Sequence, residues 1–132
     1  MYQANTNRYK ENQVLLSNPG EILLALYDGA IKSGRQAKLA IEDNNPALKG
    51  EKIGGAIDIL AELSATLDHE KAPDLCRQLA LLYDYLVERL LVANVDMVTE
   101  PVDEVITHLE KLRATWGEAV QTAKNEALGH VA

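Results

Sequence analysis

Apolar residues recur every three or four positions in four separate stretches of the chain, which is the period of an amphipathic α-helix. The pattern predicts helices over about residues 19–42, 50–68, 74–96 and 101–124. No stretch alternates polar and apolar residues with the β-branched enrichment of a strand, so the sequence predicts no sheet. Four helices joined by short connections favour an all-α fold, an antiparallel four-helix bundle.

The stretches outside these helices define the predicted domain organisation. Residues 1–18 are polar, rich in Asn and Gln, and lack helical periodicity, so they are predicted to form an irregular N-terminal arm. Residues 19–126 form the predicted bundle domain, and residues 127–132 are predicted to be a flexible C-terminal tail. Nothing in the sequence marks a second domain, an internal repeat or a low-complexity tract.

The third predicted helix carries apolar residues on two sides. The wider arc suits the bundle core and contains Leu75, Leu79, Leu82, Tyr83, Leu86, Val87, Leu90 and Leu91. On the opposite arc, Leu81, Tyr85 and Val92 fall within about 40° of one another when successive residues are placed about 100° apart. Charged residues frame this second stripe, so it predicts a surface that a partner helix covers. The alternative is scattered exposed apolar residues, which are common on protein surfaces.

The second predicted helix carries a narrow row of small residues opposite its core face. Gly54, Ala61 and Ala65 fall in this row beside two acidic residues. Small side chains let another backbone approach closely, and a glycine in a helix interior costs about 1 kcal/mol relative to alanine, which suggests a packing role. Together with Ile57 on the same helix, these residues are the second candidate contact for a partner.

Composition narrows the range of functions. The 132 residues include 20 acidic and 13 basic side chains, so the formal charge of -7 argues against binding to nucleic acid or to an anionic membrane surface. The single cysteine, Cys76, cannot form an internal disulfide and fits a reducing compartment. No apolar run approaches the roughly 18 residues of a membrane span, and the start lacks the apolar region of a signal peptide. We therefore expect a cytoplasmic protein without membrane insertion.

Candidate catalytic and metal-binding residues are few, and the sequence predicts neither an enzyme nor a cofactor. A di-iron site in a bundle needs Glu-x-x-His pairs, and none occurs. His69, His108 and His130 fall in a break, a helix and the tail, so a shared metal site is not expected. Two other functions remain open at this point: a histidine phosphotransfer bundle that uses His108, and a generic helical adaptor or oligomerisation domain.

Several stretches, taken in order, resemble a known family. They are "YKENQV" in the arm, "NPGEILLALYDGAI" and "QAKLAIE" in the first helix, "AIDIL" and "LDHEK" around the second, "LLYDYLVERLLVAN" in the third and "VDEVITHLEKLRATW" in the fourth. Over about residues 8–119, this combination is similar to the FliS family of flagellar secretion chaperones. No single stretch is diagnostic, so their order and combination carry the resemblance.

The resemblance implies a bundle without catalytic activity that binds the disordered C-terminal segment of flagellin, prevents its premature polymerisation and supports its secretion. It also implies that the N-terminal arm covers the client groove in the free chaperone, here through Tyr9, Val14 and Leu15. The outer rows of the second and third helices are then the candidate client-binding surface. Further implied partners are an export-gate component and, in some lineages, other flagellar regulators.

Overall fold

Four α-helices make up the part of the chain that the structure describes. The structure is a computed structural model, and it describes residues 19–131, with the side chains of all but the last two. The helices are α1, Pro19–Glu42, α2, Pro46–Ala65, α3, Pro73–Asp96, and α4, Glu100–Val131, and these residues contain no strand. Each helix packs against the next along the chain, and α4 closes the bundle against α1. The predicted all-α antiparallel four-helix bundle is confirmed.

α2 shows how local caps decide the helix boundaries. The sequence pattern places Asn45 and Pro46 in a connection, but they start the helix. The Asn45 side-chain oxygen accepts a hydrogen bond from the Leu48 N–H at 3.2 Å, and Pro46 occupies the first turn, where a missing N–H costs no bond. The helix ends at Ala65, where the following Thr66 donates its hydroxyl to a carbonyl of the last turn at 2.7 Å. Both predicted boundaries of this helix are therefore wrong.

α4 is longer than its apolar stripe. The pattern predicts a helix end near Lys124, but the helix continues to Val131 and contains 32 residues. Its final turns include alanine and leucine, which favour helix without requiring a buried face. Residues 121–129 are exposed, so little of the described bundle packs against this end. The flexibility predicted for residues 127–132 stays a prediction.

The described core is apolar apart from a hydrogen-bonded group of aromatic side chains. The hydroxyls of Tyr27 in α1 and Tyr83 in α3 form a hydrogen bond, and both side chains are almost fully buried. Trp116 of α4 donates its indole N–H to the Tyr27 hydroxyl at 3.2 Å. Burial raises the pKa of both tyrosines, because the phenolate form would lose its solvation. The tyrosine pair therefore connects two helices that lie diagonally across the bundle.

Oppositely charged side chains set the register between α1 and α4. Four ion pairs join these helices: Glu21 with Lys124 at 2.8 Å, Asp28 with Arg113 at 2.9 Å, Arg35 with Glu110 at 3.2 Å, and Lys38 with Asp103 at 2.8 Å. In chain order, the paired residues of α1 are two acids followed by two bases, and those of α4 are also two acids followed by two bases. An antiparallel arrangement satisfies all four pairs, whereas a parallel one would place like charges together. Each exposed pair contributes only about 0–1 kcal/mol, so their main effect is on register.

Candidate protein-binding surface

α3 leaves one long side uncovered by the rest of the described chain. The buried residues on its core side are Cys76, Leu79, Tyr83, Leu86, Leu90 and Ala93. α1 packs extensively against α2 and α4, whereas α3 contacts those two helices less extensively. Side chains opposite the core side of α3 are accordingly exposed. They include an apolar set that we call the outer face of α3: Leu81, Tyr85, Leu91, Val92 and Val95.

The three residues of the predicted second stripe all lie at the surface. Leu81 is 64% exposed, Tyr85 43% and Val92 37%. Their role in binding stays a prediction. Leu75 and Leu91, which the apolar pattern places in the core, are exposed instead. Leu91 lies beyond the arc that the neighbouring helices cover, whereas Leu75 lies in the first turn of α3, at the end of the bundle. The exposed apolar surface is therefore wider than the sequence indicates.

Contacts with α4 fix Tyr85 at the edge of this surface. Its hydroxyl donates to the Glu104 carboxylate, 2.9 Å from Oε2, and this hydrogen bond raises the pKa of Tyr85. Arg89 Nε lies 3.3 Å from Oε1 of the same carboxylate. The Tyr85 ring meets His108 edge-on, with the ring centroids 6.4 Å apart. His108 is half-buried beside this ring, so it is less accessible than the phosphotransfer hypothesis assumes.

The small residues of α2 divide between the interior and the surface. Ala61 and Ala65 are exposed, whereas Gly54 is buried. Gly54 is therefore covered rather than exposed, although helical spacing places it in the same row as Ala61 and Ala65, and its role in binding stays a prediction. The adjacent Gly55 faces α1, where an added Cβ would lie 3.6 Å from a serine hydroxyl oxygen. Ile57 is partly buried against the core, so it offers only part of its side chain to a partner.

A groove at one end of the bundle is a surface that the sequence analysis missed. It has a volume of about 420 Å³ and lies between the start of α1, the end of α2 and the second half of α4. Leu23, Trp116, Val120 and Ala123 contribute to its mainly apolar lining. A neighbouring cavity of about 200 Å³ shares Leu23 and Trp116. The signal was present in α4, whose apolar stripe continues to Val120 and Ala123 after the fully buried positions end.

Outside these surfaces, residues 19–129 show no arrangement for metal chemistry. No three side chains of His, Cys, Asp and Glu in this range come close enough to hold a metal ion. Cys76 is buried, and its thiol donates a weak hydrogen bond to the Asp68 carbonyl at 3.4 Å. Among the described helices, none combines the length and the hydropathy that a membrane-spanning segment requires. The predicted arm contacts Tyr9, Val14 and Leu15 lie outside the described residues.

Comparison with known proteins identifies the family. The family model described as "Flagellar protein FliS" matches residues 1–123. The chain belongs to the FliS family. It is 33% identical over 121 residues to the flagellar secretion chaperone FliS of Bacillus subtilis strain 168, a match that covers 92% of this chain and 90% of that protein. It is 34% identical over 107 residues to the FliS of Salmonella typhimurium strain LT2, covering 80% of this chain and 79% of that protein.

The match to FliS includes the surfaces described above. Residue 123 lies within α4, so the matched region contains α1, α2, α3 and most of α4. A third relative, the flagellar secretion chaperone FliSB of Pseudomonas aeruginosa strain PAO1, is 35% identical over 106 residues, covering 80% of this chain and 84% of that protein. The resemblance predicted from the sequence motifs is confirmed. The FliS family is a family of flagellar secretion chaperones, a class that acts by binding.

Proposed function

We propose that this FliS-family chain is a cytoplasmic export chaperone that binds the disordered C-terminal segment of flagellin and carries no catalytic activity. Holding this segment prevents premature polymerisation, and delivery to an export-gate component supports secretion during flagellum assembly. Other flagellar regulators are further partners that the resemblance implies. The observation that carries the proposal is the outer face of α3, which exposes five apolar side chains on a bundle that already has a closed core.

Capture takes the form of an amphipathic client helix that lies along the outer face of α3. Leu81 and Val95 are 64% and 82% exposed, so a client helix can remove much of their surface from water. Fully burying a leucine or valine side chain is worth about 1.5–3 kcal/mol. Several such contacts can offset the ordering of a disordered segment, which costs about 2–5 kcal/mol or more. Client folding and binding are therefore coupled.

α2 provides the second part of the proposed client surface. Ala61 and Ala65 are exposed and small, so a client backbone can approach this helix closely. Ile57 is partly buried and adds an apolar edge to the same helix. We expect these positions to contribute less affinity than the outer face of α3, because they offer less apolar surface to bury.

The N-terminal arm is proposed to compete with the client. Tyr9, Val14 and Leu15 give the arm apolar side chains that suit the same kind of surface. A competing segment of the same chain lowers the apparent affinity, because the client must first displace it. Removal of residues 1–12 should therefore raise client affinity. An equal or lower affinity after truncation would contradict this role of the arm.

Calorimetric titration with the C-terminal segment of flagellin tests the proposed function. We expect saturable binding with a negative heat-capacity change, because apolar surface is buried and the client folds. A scrambled segment of the same composition is the control and should not bind with comparable affinity. Absence of binding by the native-sequence segment, or equal binding by both segments, would refute the proposal.

A further inference from the structure

Three carboxylates that form no ion pair with the described chain lie within and beside the outer face of α3. Asp84, Glu88 and Asp96 are exposed, and none of them forms an ion pair with another described residue. Both arginines of α3 are engaged elsewhere, since Arg77 lies 2.7 Å from Asp74 and Arg89 3.3 Å from Glu104. The seam between α1 and α4 has the opposite character, because its acidic and basic side chains pair with one another. The α3 side therefore carries three exposed carboxylates without an ion-pair partner, unlike the paired carboxylates of the α1–α4 seam.

Helical spacing places these carboxylates beside the apolar side chains. With about 100° between successive residues, Glu88 falls within about 40° of both Leu81 and Val92. By the same spacing, Asp84 falls within about 20° of Leu91 and Val95, and Asp96 within about 40° of Tyr85 and Val92. Glu88 and Asp84 thus lie between apolar side chains of the outer face of α3, and Asp96 lies at its edge. Any helix that covers it brings its own flanking residues close to these carboxylates.

We propose that the outer face of α3 selects an amphipathic helical segment whose apolar face is flanked by lysine or arginine. This inference rests on the proposed function and specifies the chemistry of the client segment. Basic flanks would pair with carboxylates that docking partly desolvates, whereas acidic flanks would add like-charge repulsion at short range. The strip from Leu81 to Val95 contains 15 residues and is about 21 Å long, so it fits a client helix of about four turns.

Two designed peptides provide the test, and binding of the flagellin segment is measured alongside them. Both present the same leucine face at helical spacing; one carries lysine at the flanking positions and the other glutamate. The intact protein should bind the lysine peptide more tightly, and the preference should shrink between about 50 mM and about 500 mM salt because ions screen surface charges. The triple variant Asp84→Asn, Glu88→Gln and Asp96→Asn should lose about fivefold to tenfold in affinity for the lysine peptide.

A matched triple variant separates this local effect from the overall negative charge. Glu42→Gln, Glu118→Gln and Glu126→Gln remove the same number of exposed carboxylates from α1 and α4. This control should change the affinity for the lysine peptide by less than about twofold. Equal binding of the two peptides by the intact protein, or equal losses in the two triple variants, would overturn the inference. Either result could occur while the flagellin segment still binds, so failure of the inference is distinguishable from failure of the proposed function.

Discussion

Replacement of Leu81 by alanine tests whether the outer face of α3 holds the client. The side chain is 64% exposed in the free protein, so a client can bury about two thirds of it. Full burial of a leucine is worth about 1.5–3 kcal/mol, and this fraction corresponds to roughly 1–2 kcal/mol. We therefore expect Leu81→Ala to weaken client affinity about fivefold to thirtyfold, because about 1.4 kcal/mol corresponds to a tenfold change. The free energy of unfolding should change by less than about 0.5 kcal/mol, as for most surface substitutions.

Leu39 supplies the matched control for this experiment. It is 61% exposed, and it lies on α1, diagonally across the bundle from α3. Leu39→Ala removes the same atoms from a similarly exposed site, so we expect less than about a twofold change in affinity. Calorimetric titration of both variants with the flagellin segment measures affinity, and urea unfolding checks stability. Unchanged affinity in Leu81→Ala, or equal losses in both variants, would refute the assignment of this face as the client site.

Three further predictions concern the bundle itself. Gly34→Leu should lower the free energy of unfolding by about 1–3 kcal/mol, because even a Cβ at this site would lie 3.1 Å from the Ile106 side chain. Gly50→Ala should raise the free energy of unfolding by about 0.5–1 kcal/mol, because a Cβ at this site meets no atom within 4 Å and alanine favours helix. Urea denaturation measures both variants. A Gly34→Leu variant as stable as the parent, or a destabilised Gly50→Ala variant, would contradict this account. The free energy of unfolding should fall as pH rises above about 10. In this range the tyrosines of the unfolded chain ionise, whereas the raised pKa values of Tyr27 and Tyr83 keep their hydroxyls protonated in the folded state. Tyr83→Phe should reduce this slope, and an unchanged slope in denaturation at pH 9 to 11 would contradict the assignment.

The helices of the bundle could be predicted from the sequence because their signals are local. Apolar periodicity along each stretch reflects burial against neighbouring helices, and this gave the number of helices and most of their length. The error at the start of α2 is also local in origin, since an Asn-Pro pair can end one helix or begin the next. The Asn45 side chain resolves the ambiguity by accepting the Leu48 N–H, a contact that periodicity does not encode. Boundaries therefore depend on caps, whereas the existence of each helix depends on pattern.

The width of the exposed surface on α3 could not be predicted from the sequence in the same way. Leu75 and Leu91 belong to the apolar arc of this helix, but how much of that arc is covered depends on where α2 and α4 lie. Gly54 shows the opposite case, since it shares a row of small residues with the exposed Ala61 and Ala65, yet the glycine itself is buried. The end groove depends on the different lengths of α1, α2 and α4, which are also properties of the assembled bundle. Such features follow from tertiary packing rather than from the period of one helix.

The distribution of internal contacts gives a physical reason why α3 would carry the client surface. Four ion pairs and a close approach at Gly34 join α1 to α4, so these two helices pack against each other along much of their length. α3 packs less extensively, and within the described chain its outer apolar side chains stay exposed, including Tyr85, which contacts α4 only along one edge. A client helix on that side would supply the burial that the bundle does not provide, while the other three helices keep their contacts. On the proposed function, client binding therefore completes the packing of α3 and stabilises the folded bundle, because a ligand that binds only the folded state shifts the folding equilibrium towards it.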